Sequence, residues 1–350
     1  MKNVIASFLL LLVWLYPLKF YAQNYELVWS DEFDYNGLPD STKWSYDIGG
    51  NGWGNQELQY YTNARSENAR VENGYLIIEA RNETYQNSNY TSARLVTKNK
   101  GDWLYGKVEV RAKIPGGKGA WPAIWMLPTN WVYGGWPKSG EMDIMEYVGY
   151  DKGVIHATVH TEAYNHSLGT QKGNSITIND VETVFHNYSM EWTEDKIMFF
   201  VDDTKYFTFY KKNGYQYWPF DKTFHLLLNI AVGGSWGGAQ GIDNSIFPIK
   251  MYVDYVRVYQ DKTLFIQKIY NNTIECLYPN PANEFIFITA KEKFSYIQIL
   301  SLSGQEIANF YMNADTKLKV EIGSLRTGTY LLVLKNYKKK IIGSAVFIKK

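Results

Sequence analysis

Lys107-Val108-Glu109-Val110-Arg111-Ala112-Lys113 places a charge at every second position and an apolar side chain between. Successive side chains of a strand point to opposite faces, so this alternation describes a strand with one wet and one buried face. Working outward, the runs 75–80, 105–114, 153–161, 197–201 and 251–259 are rich in Val, Ile, Tyr and Phe. Turn-forming clusters punctuate them, as at Gly49-Gly50-Asn51-Gly52, Pro115-Gly116-Gly117 and Gly233-Gly234-Ser235. No long segment keeps a 3.6-residue apolar period. Many short strands of this kind predict an all-β chain, built as a two-sheet sandwich or jelly roll.

Beyond residue 261 the character changes. Residues 23–261 hold 21 Lys+Arg and 29 Asp+Glu, a net of −8, whereas residues 262–350 hold 13 and 6, a net of +7. Eleven of the 12 Trp lie between Trp29 and Trp236, and all five His precede residue 262. The simultaneous shift marks a domain boundary, with a linker at 262–275 and a second domain at 276–350. In that tail the runs 285–289, 296–302, 317–322 and 329–334 read as strands, with turns at Pro279-Asn280-Pro281, Ser303-Gly304 and Arg326-Thr327-Gly328. They predict a small C-terminal β-sandwich.

Several classes drop out. A formal net charge of +1 gives no support to nucleic-acid binding, which needs a basic surface. One cysteine, Cys276, excludes an intrachain disulfide framework and a cysteine-based zinc cluster. At the N-terminus Lys2 precedes an apolar run over 4–16, too short for a comfortable membrane span and of the length of a signal core. Residues 1–22 are therefore expected to be a secretory signal. No other stretch is apolar and long enough to span a bilayer.

The chemistry is concentrated in Gly140-Glu141-Met142-Asp143-Ile144-Met145-Glu146-Tyr147. On a regular strand Glu141 and Asp143 share a face and Glu146 points away. One extra residue at Ile144-Met145, a β-bulge, returns Glu146 to the same face. Three acids packed together without partners are costly, and a groove with a purpose resolves that cost; an ordinary solvated acidic strand is the plainer reading. Trp121-Pro122-Ala123-Ile124-Trp125 precedes the acids, and Trp131 and Trp136 follow closely. Flat aromatic faces suit the apolar faces of sugar rings. A carboxylate pair about 5–5.5 Å apart is what retaining glycoside hydrolysis requires.

These residues carry a resemblance. Glu-Met-Asp-Ile-Met-Glu at 141–146 is similar to the Glu-x-Asp-x-x-Glu signature of glycoside hydrolase family 16. Trp29-Ser30-Asp31-Glu32-Phe33, Asn55-Gln56-Glu57-Leu58-Gln59-Tyr60-Tyr61, Asn229-Ile230-Ala231-Val232-Gly233-Gly234 and Tyr252-Val253-Asp254-Tyr255-Val256-Arg257-Val258 follow the family order over about residues 25–260. The pattern resembles the laminarinase branch, endo-acting β-1,3-glucanases. The resemblance implies a concanavalin-like jelly roll with a concave groove. It assigns Glu141 as nucleophile, Asp143 as its helper, and Glu146 as general acid and then base. It places Asn55, Arg94, Trp121, Trp125, His160 and Trp236 along the groove. For His160 a packed sheet histidine is an equal reading.

The resemblance further implies no cofactor for catalysis and a structural Ca²⁺ on the convex side. Its ligands would be the Asp254 carboxylate and the main-chain oxygens of Glu32 and Gly74. The tail, through Tyr278-Pro279-Asn280-Pro281-Ala282, Ser303-Gly304-Gln305-Glu306 and Thr327-Gly328-Thr329-Tyr330, resembles the C-terminal sorting domain of type IX secretion in Bacteroidota. The expected protein is thus a secreted or surface-held monomer of residues 23–261 plus this tail, hydrolysing β-1,3- or mixed β-1,3/1,4-glucan. Two alternatives stand beside it: a related hydrolase of agarose or carrageenan, and a non-catalytic glucan-binding protein.

Overall fold

A computed structural model describes residues 25–261, 273–301, 306–338 and 341–350. The signal at 1–22, most of the linker at 262–275 and the turn at Ser303-Gly304 lie outside the described residues. One compact unit spans Tyr25–Asp261.

Eighteen strands make up that unit. They are β1 (Tyr25–Asp31), β2 (Ser45–Tyr46), β3 (Gln59–Tyr61), β4 (Ala69–Glu72), β5 (Tyr75–Tyr85), β6 (Ser88–Ser92), β7 (Arg94–Val96), β8 (Asp102–Trp103) and β9 (Gly106–Lys113). Then come β10 (Ala120–Pro128), β11 (Glu141–Glu146), β12 (Val154–His160), β13 (Lys172–Thr177), β14 (His186–Trp192), β15 (Lys196–Val201), β16 (Thr204–Tyr210), β17 (Phe224–Val232) and β18 (Ile249–Asp261). They form two sheets. One runs β16-β15-β14-β9-β18-β5-β6-β3, with β1 beside β18 and β4 beside β5; the other runs β13-β12-β11-β10-β17-β7-β2, with β8 beside β17. This is the jelly-roll sandwich that the sequence predicts.

The charged alternation of β9 is what its position requires. Val108, Val110 and Ala112 are buried in the core between the sheets, while Lys107, Glu109, Arg111 and Lys113 stay partly exposed. Strand β17 departs from alternation: all nine of its residues are buried. Leu226, Leu228, Ile230 and Val232 enter the core, and Asn229 and Ala231 face a groove on the opposite side. Both faces are covered, so no polar alternation is left to read.

In the C-terminal region five strands join in one sheet: β19 (Ile274–Tyr278), β20 (Phe285–Ser301), β21 (Glu306–Glu321), β22 (Gly328–Lys335) and β23 (Ile341–Lys349). The two strands expected at 285–289 and 296–302 are one long strand whose register breaks between Thr289 and Phe294. Its first part pairs with β19 and its second with β22. Ile286 and Ile288 from before the break share one core with Ile297, Ile299, Leu332 and Phe347. The break therefore lets a single sheet fold over its own apolar face.

Candidate active site

The bulge lies where the acid spacing demands it. Against β10, Trp125 pairs with Asp143 and Ile124 with Met145, so Ile144 is the extra residue. Against β12, Asp143 pairs with Thr158 and Glu146 with His156. Met142, Ile144 and Met145 all sit in the core, which turns Glu141, Asp143 and Glu146 together onto the groove side. Gly140 sets the entry to this strand. Its φ of +90° is in the glycine-favouring region, and a Cβ there would lie 2.8 Å from Pro219 and 2.9 Å from Phe220.

The groove encloses a cavity of about 460 Å³, within the ordinary range for ligand sites. Two of the acids have their own indole donor. Trp136 Nε1 donates to Glu141 Oε2 at 2.8 Å, and Trp121 Nε1 to Glu146 Oε1 at 3.2 Å. His160 Nε2 lies 3.3 Å from Asp143 Oδ2 and 3.8 Å from Glu141 Oε1. This buried Asp143 Oδ2 has no hydrogen-bond partner.

Burial pushes Glu141 up to about 8, and the charge of Asp143 adds to it; His160 and the Trp136 donor pull it back. Burial raises Asp143 too, against the hydrogen bond from Glu141. Glu146 stands well above the usual carboxylate range, through burial and then repulsion from Asp143. All three carboxyls are thus pushed above the usual carboxylate range, with burial the first cause for each.

A stability effect follows. Carboxyls that prefer the proton in the folded chain stabilise it below their ordinary pKa of 4.5 and lose that contribution as pH rises toward about 8. Glu141→Gln should flatten the fall in Tm between these pH values and raise Tm at pH 8, by on the order of a few degrees. Scanning calorimetry of both proteins across this range checks it; parallel slopes would contradict it.

The sequence-predicted groove residues divide. Asn55, Arg94, Trp121 and Trp125 line the cavity. Arg94 is stacked between Trp53 and Trp125, its guanidinium 4.7 and 4.5 Å from the ring centres, and its Nε lies 3.0 Å from Asp47. Trp236 packs edge-on behind Trp121 at 5.5 Å and against His156 at 5.1 Å. It buttresses the wall rather than forming the lining. His160 is buried beneath Glu141 and Asp143, so it faces the acids.

The structure adds residues that the sequence reading passed over. Glu57 lines the groove and accepts from Gln59 Nε2 at 2.7 Å, Tyr61 OH at 3.2 Å and Asn55 Nδ2 at 3.3 Å. Asn229 Nδ2 donates to Tyr61 OH at 3.0 Å, and Asn229 Oδ1 accepts from Trp125 Nε1 at 2.7 Å. His166 and Ser167 reach the cavity from a 3₁₀ turn capped by Asn165. The acid within Asn55-Gln56-Glu57 was a visible signal; the tie to Asn229 was not, because it spans 168 residues.

On the other sheet, Asp254 sits at a register shift of β18 between Val253 and Tyr255. Strand β5 pairs with β18 up to Val253, and β1 takes over from Val256. Gly74 immediately precedes β5 and Glu32 immediately follows β1, so the ends of both strands abut Asp254. The Asp254 carboxylate with the main-chain oxygens of Glu32 and Gly74 would be a hard-oxygen set of the kind that suits Ca²⁺. Arg111 already donates to Asp254 Oδ2, so a cation would have to share or displace that partner.

The fold and the acids define a carbohydrate-cleaving jelly roll, and comparison with known proteins places it. Residues 55–257 match the model of glycosyl hydrolases family 16, and 276–349 match that of the secretion system C-terminal sorting domain. A β-glucanase of Rhodothermus marinus is 59% identical over 68% of this chain and 86% of its own length. A glucan endo-1,3-beta-glucosidase of Cryptopygus antarcticus is 41% identical over 63% of this chain and 84% of its own. The solved laminarinase from Rhodothermus marinus aligns with a TM-score of 0.67, at 59% identity, over 67% of this chain and 97% of its own. This chain belongs to glycosyl hydrolase family 16 and carries a C-terminal sorting domain for secretion.

Proposed function

We propose that the protein is a retaining endo-β-glucanase acting on β-1,3-glucan or mixed β-1,3/1,4-glucan outside the cell. The observation that carries this reading is the bulged strand, which gathers Glu141, Asp143 and Glu146 on the floor of a tryptophan-lined groove. Glu141 attacks the anomeric carbon while Glu146 protonates the departing glycosidic oxygen. Glu146 then takes a proton from water, which releases the sugar from Glu141. Glu146, held above the usual carboxylate range first by burial, is suited to keep a proton for the departing oxygen. Asp143, between them, raises the proton affinity of both by its charge. No cofactor is needed.

The proposed domain limits are 1–22, 23–261, 262–275 and 276–350, with the tail read by type IX machinery. The working unit is read as a monomer. Product analysis on laminarin, barley β-glucan and agarose tests the substrate, with Glu141→Ala as control. The expected result is oligosaccharides from the two glucans, abolished by the substitution. Cleavage of agarose alone would overturn the substrate class, and glucan binding without cleavage would overturn catalysis.

We further propose that Asp254, Glu32 and Gly74 hold Ca²⁺, which would tie the ends of β1 and β5 to β18. At free Ca²⁺ of 100 times Kd the folded state gains about 2.7 kcal/mol. Tm should therefore rise with Ca²⁺, fall with chelator, and respond to neither in Asp254→Ala. A Tm that ignores Ca²⁺ in the unsubstituted protein would remove the site.

A further inference from the structure

Among the described residues one grouping of three potential metal ligands stands out: Glu141, Asp143 and His160, whose ligand atoms all lie within 4.8 Å of one another. The groove reading uses the two acids for glycoside cleavage and leaves His160 as their neighbour. His160 Nε2 faces Glu141 Oε1 and Asp143 Oδ2. The His160–Asp143 separation of 3.3 Å is close to the edge of a tetrahedron built on bonds of about 2.0–2.1 Å. The His160–Glu141 separation of 3.8 Å closes to that value by a small turn of a long side chain.

A second observation points the same way. Asp143 is only 2% exposed, yet its Oδ2 has no hydrogen-bond partner. A buried, unpartnered carboxylate oxygen beside a second acid asks for a cation. The imidazole selects which cation. Ca²⁺ and Mg²⁺ prefer oxygen alone, whereas Zn²⁺ accepts nitrogen with carboxylates and leaves a fourth position open to the groove. The buried His160 Nδ1 also lacks a partner, so the carbonyl or carboxylate that orients an evolved metal-binding histidine is missing.

We infer that Glu141, Asp143 and His160 form a reversible capture site for a late divalent transition ion, Zn²⁺ foremost, whose occupancy switches hydrolysis off. The ion sits on the carboxylate that attacks the sugar and releases to solvent any proton held by Glu141 or Asp143. Its inhibitory consequence rests on the reading of Glu141 as nucleophile; the binding itself does not.

The test uses the tag-free full chain and Zn²⁺ alone. Isothermal titration is run on the parent, on His160→Ala and on Asp143→Ala, with folding checked by circular dichroism. His186→Ala is the control, because His186 is paired with Asp202 at 2.8 Å and Asp180 at 3.1 Å and forms the other His–carboxylate cluster. One tight site is expected in the parent and in His186→Ala. Losing even an outer-shell partner of a metal site costs about 10- to 100-fold, so each ligand substitution should weaken Zn²⁺ by more than about 100-fold. Hydrolysis by the parent should fall on the same Zn²⁺ scale, recover with chelator, and be protected by substrate. Affinity unchanged in both ligand variants would overturn the site. Binding at this site with hydrolysis unaffected would overturn its inhibitory role without touching the titration result. If the chain cleaved no glucan at all, the titration would still decide the site.

Discussion

Glu146→Ala should lose about 10²- to 10⁴-fold in kcat/KM on laminarin, the usual contribution of a general acid. The leaving group in the polymer is a sugar alkoxide, which departs poorly without a proton. A dinitrophenyl β-glycoside carries a leaving group that needs none, so its cleavage step should fall far less. The same substitution should remove the alkaline limb of the pH profile, which is set by loss of the Glu146 proton. That limb should lie well above the usual carboxylate range in the parent, because burial and the charge of Asp143 hold the proton on. Steady-state rates on both substrates from acid to alkaline pH check this. An equal loss on both would mean that Glu146 acts in binding rather than as the acid.

Glu141→Gly should be the more damaging change, at least about 10⁴-fold on any β-glucan, beyond the upper end for one acid–base group. It removes the atom that forms the covalent intermediate and leaves space where the carboxylate stood. A small anion can enter that space. Azide should therefore restore turnover of the activated glycoside and yield a glycosyl azide of α configuration, because only one displacement then occurs. Glu146 remains in place, so the rescued product must differ from the azide product of Glu146→Ala, which would be β. A β product from the Glu141 variant would contradict the assignment of attacking residue.

Much of this site was legible in the chain because its determinants are local. The charged alternation at 107–113 survives as β9, since one face meets the core and the other water. The apolar pair Ile144-Met145 signalled the bulge, because two consecutive core residues within a strand force the next side chain back across the sheet. The determinants that were not legible depend on how the chain folds back on itself. Trp136 reaches Glu141 only because the segment leading to Gly140 returns its indole over the strand. Glu57 gains its role through Tyr61 and Asn229, residues far apart in sequence that meet across the groove. His160 and Trp236 were placed in the groove through resemblance, whereas cross-strand pairing sets His160 opposite Glu141 and ring packing sets Trp236 against Trp121. Asp254 was identified through resemblance; the handover from β5 to β1 is a property of the sheet that no single segment carries.

The central claim is that Glu141 and Glu146, brought to one face by a single extra residue, act as nucleophile and acid in a double displacement. The most direct measurement is the anomeric form of the first product, followed by proton NMR within the first turnovers on a laminari-oligosaccharide before mutarotation. The account predicts the β anomer, retained through two inversions. First appearance of the α anomer would mean that water attacks directly, and would contradict a covalent role for Glu141.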